Sequence, residues 1–247
     1  MSQAGCPKVI WMLWLQGWGE APEIVAACRR TWERHNPGWT VVPLTRESAY
    51  RLLDGSELLS AVETRTLPPE ALSDVIRIGL LQKYGGVWAD ATTYCLQPLN
   101  DWLPAHLASG FFAFSNPGPD RMLSTWFLAA AIGSQITTEW AAATADYWRA
   151  RSERHHYFWF HILFAECYAR NKDCRQVWDQ TQKISSEGPR YFFPQEEELL
   201  RLVASADREL VEGGAVPLVK LRHAVPADHA PENSVLRYLC ARAGDRS

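Results

Sequence analysis

No run in this 247-residue sequence is long and apolar enough to cross a bilayer. The two longest uncharged stretches are 102–119, broken by three prolines, and 122–138, interrupted by Ser, Thr, Gln and Gly. The second falls short of the ~20 apolar residues of a typical span. Both are expected to form buried strands and loops, which leaves only a peripheral association with membrane open. None of the six cysteines (Cys6, Cys28, Cys95, Cys167, Cys174, Cys240) pairs as C-x-x-C, so the usual spacing of a structural zinc site is missing. Scattered thiols in a chain of this size read as buried rather than cross-linked. There is no basic excess, since 25 Lys and Arg face 28 Asp and Glu for a net charge of −3, and no nucleic-acid partner is expected. No basic and apolar secretory leader opens the chain. A soluble, reducing, cytoplasmic setting is the resulting expectation. Internal repeats, low-complexity tracts and linker-like runs are also missing. One domain over 1–247 is expected, with a helical C-terminal portion at about 138–210.

What is present is ordinary globular composition, 47% hydrophobic and 21% charged, with an excess of tryptophan at 12 copies. Such rings stack on sugars and bases and also fill cores. Lys8–Leu15 is a continuous apolar run of strand length, as expected for a strand buried on both faces. Pro22 opens a helix with Ile24, Val25, Cys28 and Trp32 at helical spacing, and Asn36-Pro37-Gly38 stops it. Trp39–Leu44 is a second strand. Strand, helix, strand predicts an α/β chain with a mixed, mostly parallel sheet flanked by helices. Short helices are expected within Arg46–Thr64, a stronger one over Glu70–Lys83 after Pro68-Pro69, and strands over Val87–Cys95, Phe111–Ser115, Ser124–Ala130 and Val216–Leu221. Further helices are expected over Thr138–Arg151, Tyr157–Arg170 and Glu196–Val203.

The most informative stretch is SDVIRIGLLQKYGGVWADAT, Ser73 to Thr92. It reads as a helix, a glycine turn and a buried strand that ends on an acid. In parallel α/β sheets ligands bind beyond the carboxyl ends of strands, where Asp90 falls. Asp90 and Thr92 share one side if the chain stays extended, and Asp74 and Arg77 are neighbours on the helix. Each feature also has a plain structural account: a loop-initiating Asp, a tight corner, and a surface ion pair worth under ~1 kcal/mol.

The combination S-D-x-x-R, G-G-V-W and D-A-T resembles the capsular polysaccharide synthesis glycosyltransferases. These are relatives of glycosyltransferase family 32 and, more distantly, of the large clostridial glucosylating toxins. PKVIWMLWLQG, APEIV, W-x-x-H-N-P-G-W, FFAF, STWFLAA and YFWFHILF are also similar, so the resemblance covers roughly residues 7–170. It implies a GT-A-like fold and transfer of a sugar from a nucleotide sugar, UDP-linked in the first instance, to a polysaccharide or other glycan, lipid-linked acceptors included, with retained configuration. It also implies a D-x-D motif holding manganese or magnesium and the donor diphosphate. By motif position Asp90 matches the first Asp and Thr92 the second, a departure, because a neutral hydroxyl is a poorer ligand for a hard dication. The same carry-over assigns Asp74 and Arg77 to donor-sugar hydroxyls, makes Asp90, Asp74 and Arg77 the catalytic candidates, and brings Ser73, Gly86 and Ala91 into the donor site.

Weaker candidates have two readings each. Trp11 and Trp14, on the first strand, line a base pocket or fill the core. Gln16 and Gly17, in the loop after it, contact nucleotide, or Gly17 turns the chain. His161, within YFWFHILF, contacts donor or acceptor or is a core histidine; His155-His156 replace the acidic residue that similar sequences carry just before Tyr157-Phe158. His223 ligates the cation, with Lys220 or Arg222 near the diphosphate, or faces solvent. Two rival functions remain open: a sugar- or nucleotide-binding protein without catalysis, and a metal-dependent phosphoryl hydrolase built on Asp90.

Overall fold

In the computed structural model, which describes residues 5–193, 195–222 and 230–244, the opening apolar run forms β1 (Val9–Leu13) inside a five-stranded sheet. Helix α1 (Glu23–His35) follows, then β2 (Thr40–Leu44), which pairs parallel with β1. Short helices α2 (Arg46–Leu53) and α3 (Glu57–Ser60) lead to α4 (Pro69–Tyr84). After α4 come β3 (Gly86–Ala89), parallel to β1 on its other side, and β4 (Thr93–Cys95). Helix α5 (Leu99–His106) precedes the hairpin of β5 (Phe111–Gly118) and β6 (Arg121–Ala130). The order is β2-β1-β3-β6-β5, with β6 antiparallel to both neighbours. Four strands therefore run one way and one runs back, the mixed and mostly parallel sheet expected from the sequence.

Side chains alternate between the two faces. Ile10, Met12, Val87, Ala89, Phe112, Phe114 and Phe127 pack with Trp32 of α1 and Leu99 and Leu103 of α5. Trp11, Trp88, Phe111, Ala113 and Leu128 point the other way, into a core completed by α4 and by α6 (Gln135–Arg149), α7 (Trp159–Arg170) and α8 (Lys172–Gln180). Helices thus cover both faces, which is why β1 and β3 can be apolar at nearly every position. Helix α9 (Ser205–Glu212), β7 (Leu218–Lys220) and α10 (Val235–Gly244) complete the described chain, and β7 pairs antiparallel with β4 in a separate two-stranded sheet.

Four expectations are corrected. Val87–Cys95 is two strands, because the Asp90 N–H donates to the Trp126 carbonyl (2.9 Å) while the Thr93 N–H donates back to the Asp90 carbonyl (2.8 Å), turning the chain out of the main sheet. The start of 102–119 is helical: Leu99 and Leu103, four apart and buried, carry α5 in spite of Pro104. The last strand of the main sheet extends back to Arg121 as the partner of β5. Glu196–Val203 contains only a 3₁₀ turn, Glu196–Leu199.

Candidate active site

The β1 chain leaves towards β2, whereas the β3 chain leaves towards the opposite edge. A crevice opens where adjacent parallel strands part in this way. A cavity of about 540 Å³ lies there, walled by Trp14 and Gln16 after β1, by Trp88, Asp90, Ala91 and Thr92 on β3 and its exit, and by Ser73, Asp74 and Arg77 on α4. Trp126 of β6, His161 of α7 and Lys220 of β7 close it.

At its base is a charged cluster assembled by two periodicities. Trp88 and Asp90, two apart, share the face that meets α4, and the Trp88 indole N–H donates to Asp90 Oδ1 (2.8 Å). Asp74 and Arg77, one turn apart, aim at the same point. The Arg77 guanidinium donates to Asp74 Oδ1 and to Asp90 Oδ1, the latter at 2.8 Å. It is only 4% exposed and lies over the rings of Trp88 (5.1 Å) and Phe160 (5.9 Å). One cation therefore serves two carboxylates in a largely dry setting, and the two acids part company. Burial, opposed by Arg77 and reinforced by repulsion from Asp90, pushes the Asp74 carboxyl up to about 7. Burial would also raise Asp90, but the charges of Arg77 and Lys220 and the hydrogen bonds from Trp88 and Arg77 outweigh it and hold that carboxyl below the ordinary range. Two acids with different protonation at one pH are a usual arrangement for dividing chemical roles.

The turn at Asp90–Thr93 sets the other end. The β4–β7 register places Thr93 opposite Lys220, and the Leu221 N–H donates to the Thr92 carbonyl (2.8 Å). The Lys220 ammonium consequently meets the Thr92 hydroxyl as a hydrogen-bond donor and lies 3.6 Å from Asp90 Oδ2. Burial pulls this ammonium below the ordinary lysine range, while Asp90 acts to keep it charged. The Phe193 ring, also in the wall, carries Lys220 (5.6 Å), Arg190 (5.1 Å) and Arg222 (4.7 Å) around it. Burial and the nearby charges of Arg121 and Arg222 lower Arg190.

These donors do not fit a resident divalent cation. Asp90 Oδ1 already accepts from Arg77 and Trp88, Oδ2 faces Lys220, and the Thr92 hydroxyl is bound to the same ammonium. Among the described residues no three His, Cys, Asp or Glu side chains converge as a metal site would require. His223 lies outside the described residues.

Of the residues singled out in the sequence, Trp14, Gln16, Ser73, Asp74, Arg77, Asp90, Ala91, Thr92 and His161 all line the cavity. Asp74 and Arg77 are not a surface pair, and Asp90 and Thr92 are brought together by a turn and Lys220 rather than by an extended strand. Trp11 is core: its indole N–H donates to the Gly85 carbonyl (2.9 Å) and the ring is outside the cavity wall. Gly86 is also outside the wall; at φ +91°, an added Cβ would fall 2.5 Å from Val9 Cγ1, so the glycine lets β3 approach β1. Gly17, φ +94°, is outside the wall and closes the turn after β1, its N–H donating to the Trp14 carbonyl (3.0 Å). His161 is half-buried in the wall, and burial backed by Arg77 and Arg121 pushes its imidazole down to about 3, leaving it neutral at physiological pH. His155 and His156 serve the turn before α7, His155 bonding Tyr147 (2.7 Å) and His156 accepting from the Phe158 N–H (3.0 Å). Sequence reasoning gave Arg121 no role and overlooked Arg154, Arg190 and Phe193, all of which line the cavity. Their distance along the chain from Asp90 left no local pattern to read.

The family model described as capsular polysaccharide synthesis protein matches residues 2–238. The O-glycosyltransferase braB of Annulohypoxylon truncatum is 26% identical over 159 residues, 57% of this chain and 38% of that protein. HOC1 of Saccharomyces cerevisiae, a candidate glycosyltransferase by name, is 32% identical over 113 residues, 43% of this chain and 28% of that protein. The chain thus spans well under half the length of either relative. Among solved structures the PaToxG glycosyltransferase shares the fold at TM-score 0.51 and 11% identity, over 88% of this chain and 90% of that one.

Proposed function

Because the chain belongs to the family of capsular polysaccharide synthesis proteins, we propose that it is a glycosyltransferase that moves a sugar from a UDP-sugar to a glycan acceptor with retained configuration. The observation that carries this reading is the Asp74–Arg77–Asp90 cluster at the base of a cavity at the carboxyl ends of β1 and β3. The base stacks near Trp14, the diphosphate lies towards Thr92, Lys220 and Arg190, and the sugar reaches Asp74 and Arg77. Cleaving the sugar–phosphate bond builds positive charge at the anomeric carbon and negative charge on the leaving diphosphate. The ionised Asp74 carboxylate orients a sugar hydroxyl and stabilises the first, and the cationic side opposite it stabilises the second. Asp90 holds Arg77 and Lys220 in position between these jobs. The acceptor approaches past Tyr157, a 63% exposed ring at the rim whose flat face suits a pyranose. We take the setting to be the cytoplasm, where the six free thiols stay reduced.

The test is nucleotide release from a panel of UDP-, GDP- and CMP-sugars, with water and mixed glycans as acceptors. Catalysed release from a UDP-sugar supports the proposal. Tight nucleotide binding without turnover of any donor would leave a binding protein instead.

A further inference from the structure

Lys220 stands where an ion shared by Asp90 and Thr92 would have to stand. Its ammonium donates to the Thr92 hydroxyl and lies 3.6 Å from Asp90 Oδ2. It does not reach there as a long surface side chain that could equally point elsewhere. The β4–β7 pairing fixes its backbone opposite Thr93, the Leu221 N–H locks the next residue to the Thr92 carbonyl, and the side chain is only 12% exposed. Arg190 lies on the same Phe193 ring and in the same cavity wall. Two univalent cations carry the charge of one divalent ion, and both are held before any ligand arrives, the condition under which electrostatic groups stabilise a transition state best.

We infer that Lys220 is the resident cation of the donor site: its ammonium, with Arg190 beside it, receives the donor's diphosphate, and sugar transfer runs without a divalent ion. This rests on the nucleotide-sugar reading above. In the step, the bond between the anomeric carbon and the diphosphate oxygen breaks and its electron pair stays on that oxygen. The acceptor hydroxyl oxygen forms the new bond to the carbon, and its proton passes to the departing phosphate oxygen. Lys220 makes and breaks no covalent bond. It lowers the energy of the charge that collects on the leaving group, a task for which one well-placed donor is worth about 10²- to 10³-fold in rate.

The experiment uses the full chain, freed of metal by chelator and dialysis, with two readouts: UDP binding by calorimetry and nucleotide release from the donor found in the panel. Both are run in excess EDTA and in manganese, for wild type, Lys220→Met and Lys220→Arg. The expected result is wild-type binding and turnover that change less than about 2-fold between EDTA and manganese. Lys220→Met should lose UDP affinity and about 10²-fold in turnover under both conditions, and Lys220→Arg should recover part of each. Wild-type UDP binding or turnover that collapses in EDTA and returns with manganese would overturn the inference while leaving the transferase reading intact; this arm needs no variant and so does not depend on a substitution folding. Lys220→Met with wild-type UDP affinity would overturn it as well. Absence of UDP binding in both conditions would remove the donor-site reading itself. UDP binding that is EDTA-resistant and Lys220-dependent, with no turnover of any donor, would uphold Lys220 as the diphosphate cation and refute the transferase.

Discussion

Replacing Arg77 by methionine tests whether the charged cluster is built as described. The guanidinium is 4% exposed, bonds both Asp74 and Asp90, and is sandwiched near Trp88 and Phe160. Methionine fills much the same volume, so cavity formation contributes little and the change is mostly electrostatic. Removing one partner of a buried ion pair typically destabilises by ~3–5 kcal/mol, because the remaining charge is left without compensation. Here two carboxylates are left, with Lys220 still beside Asp90, so a loss of ~3–5 kcal/mol is expected at pH 8. The pH dependence has a definite sign. In wild type, Asp90 is held low, so its contribution is present above the unfolded carboxyl range and is lost as pH falls through its folded value. Asp74 is raised to about 7, so its favourable contribution is fully present below the unfolded range and is lost as pH rises through about 7. In Arg77→Met both folded carboxyls move up, and the penalty is complete only above those raised values. The gap between wild type and variant should therefore shrink to roughly 1–2 kcal/mol at pH 5, where Asp74 is already protonated in both proteins. Urea unfolding at pH 8 and pH 5, with Arg77→Met/Asp74→Asn as a partly relieved double variant, measures it. A loss below about 1 kcal/mol at pH 8, or an equal loss at both pH values, would refute the account of the cluster.

Asp74 gives a kinetic counterpart. If its ionised form acts on the sugar, wild-type kcat/KM falls as pH drops below about 7, whereas Asp74→Asn is about 10²-fold slower at pH 8 and has no such limb; nucleotide release between pH 5.5 and 8.5 measures this, and a flat wild-type profile excludes that role. Gly86→Ala should lose roughly 2–5 kcal/mol by thermal unfolding, since its Cβ would lie 2.5 Å from Val9 Cγ1 and 2.8 Å from the Val9 carbonyl oxygen at φ +91°. Gly133→Ala, also at positive φ but with nothing within 4 Å, should lose only about 1 kcal/mol; equal losses would mean that close packing of β3 on β1 contributes nothing.

What the sequence disclosed followed the range of its signals. Helix α4, its glycine stop and β3 were readable because the period of apolar residues and the Gly85-Gly86 pair act within one turn or one strand. The Asp74–Arg77 spacing was readable for the same reason. That the pair is buried was not, since a helix face polar by composition is ordinarily a solvated one, and burial here depends on Trp88 and Phe160 closing over it. The turn after β3 was hidden because Ala-Asp-Ala-Thr has no glycine or proline to mark it; the hydrogen bond from Asp90 to Trp126, 36 residues on, holds it. The tryptophan excess mostly reflects packing: eight of the twelve are buried, and of the remaining four only Trp14 lies in the cavity wall. Helix α5 was masked by Pro104, whose missing N–H argued for a loop while Leu99 and Leu103 anchored a helix.

Lys220 could not be placed from its neighbours, because its position is set by β7 pairing with a strand 125 residues earlier. Once placed, it changes the meaning of Thr92. Asp74, Arg77, Asp90 and Lys220 form a set in which two acids and two cations balance, and Arg190 and Arg121 in the same wall tip the cavity towards positive charge. A second carboxylate at position 92 would bind the Lys220 ammonium as a salt bridge and halve that positive excess, leaving less cationic charge for an anionic ligand. A hydroxyl holds the ammonium by one hydrogen bond and leaves its charge available. Thr92 and Lys220 are thus two halves of one arrangement. If Lys220 receives the diphosphate as proposed, the hydroxyl at position 92 is what leaves its charge available for that task, and the departure from an acidic pair by itself carries no implication that catalysis has been lost.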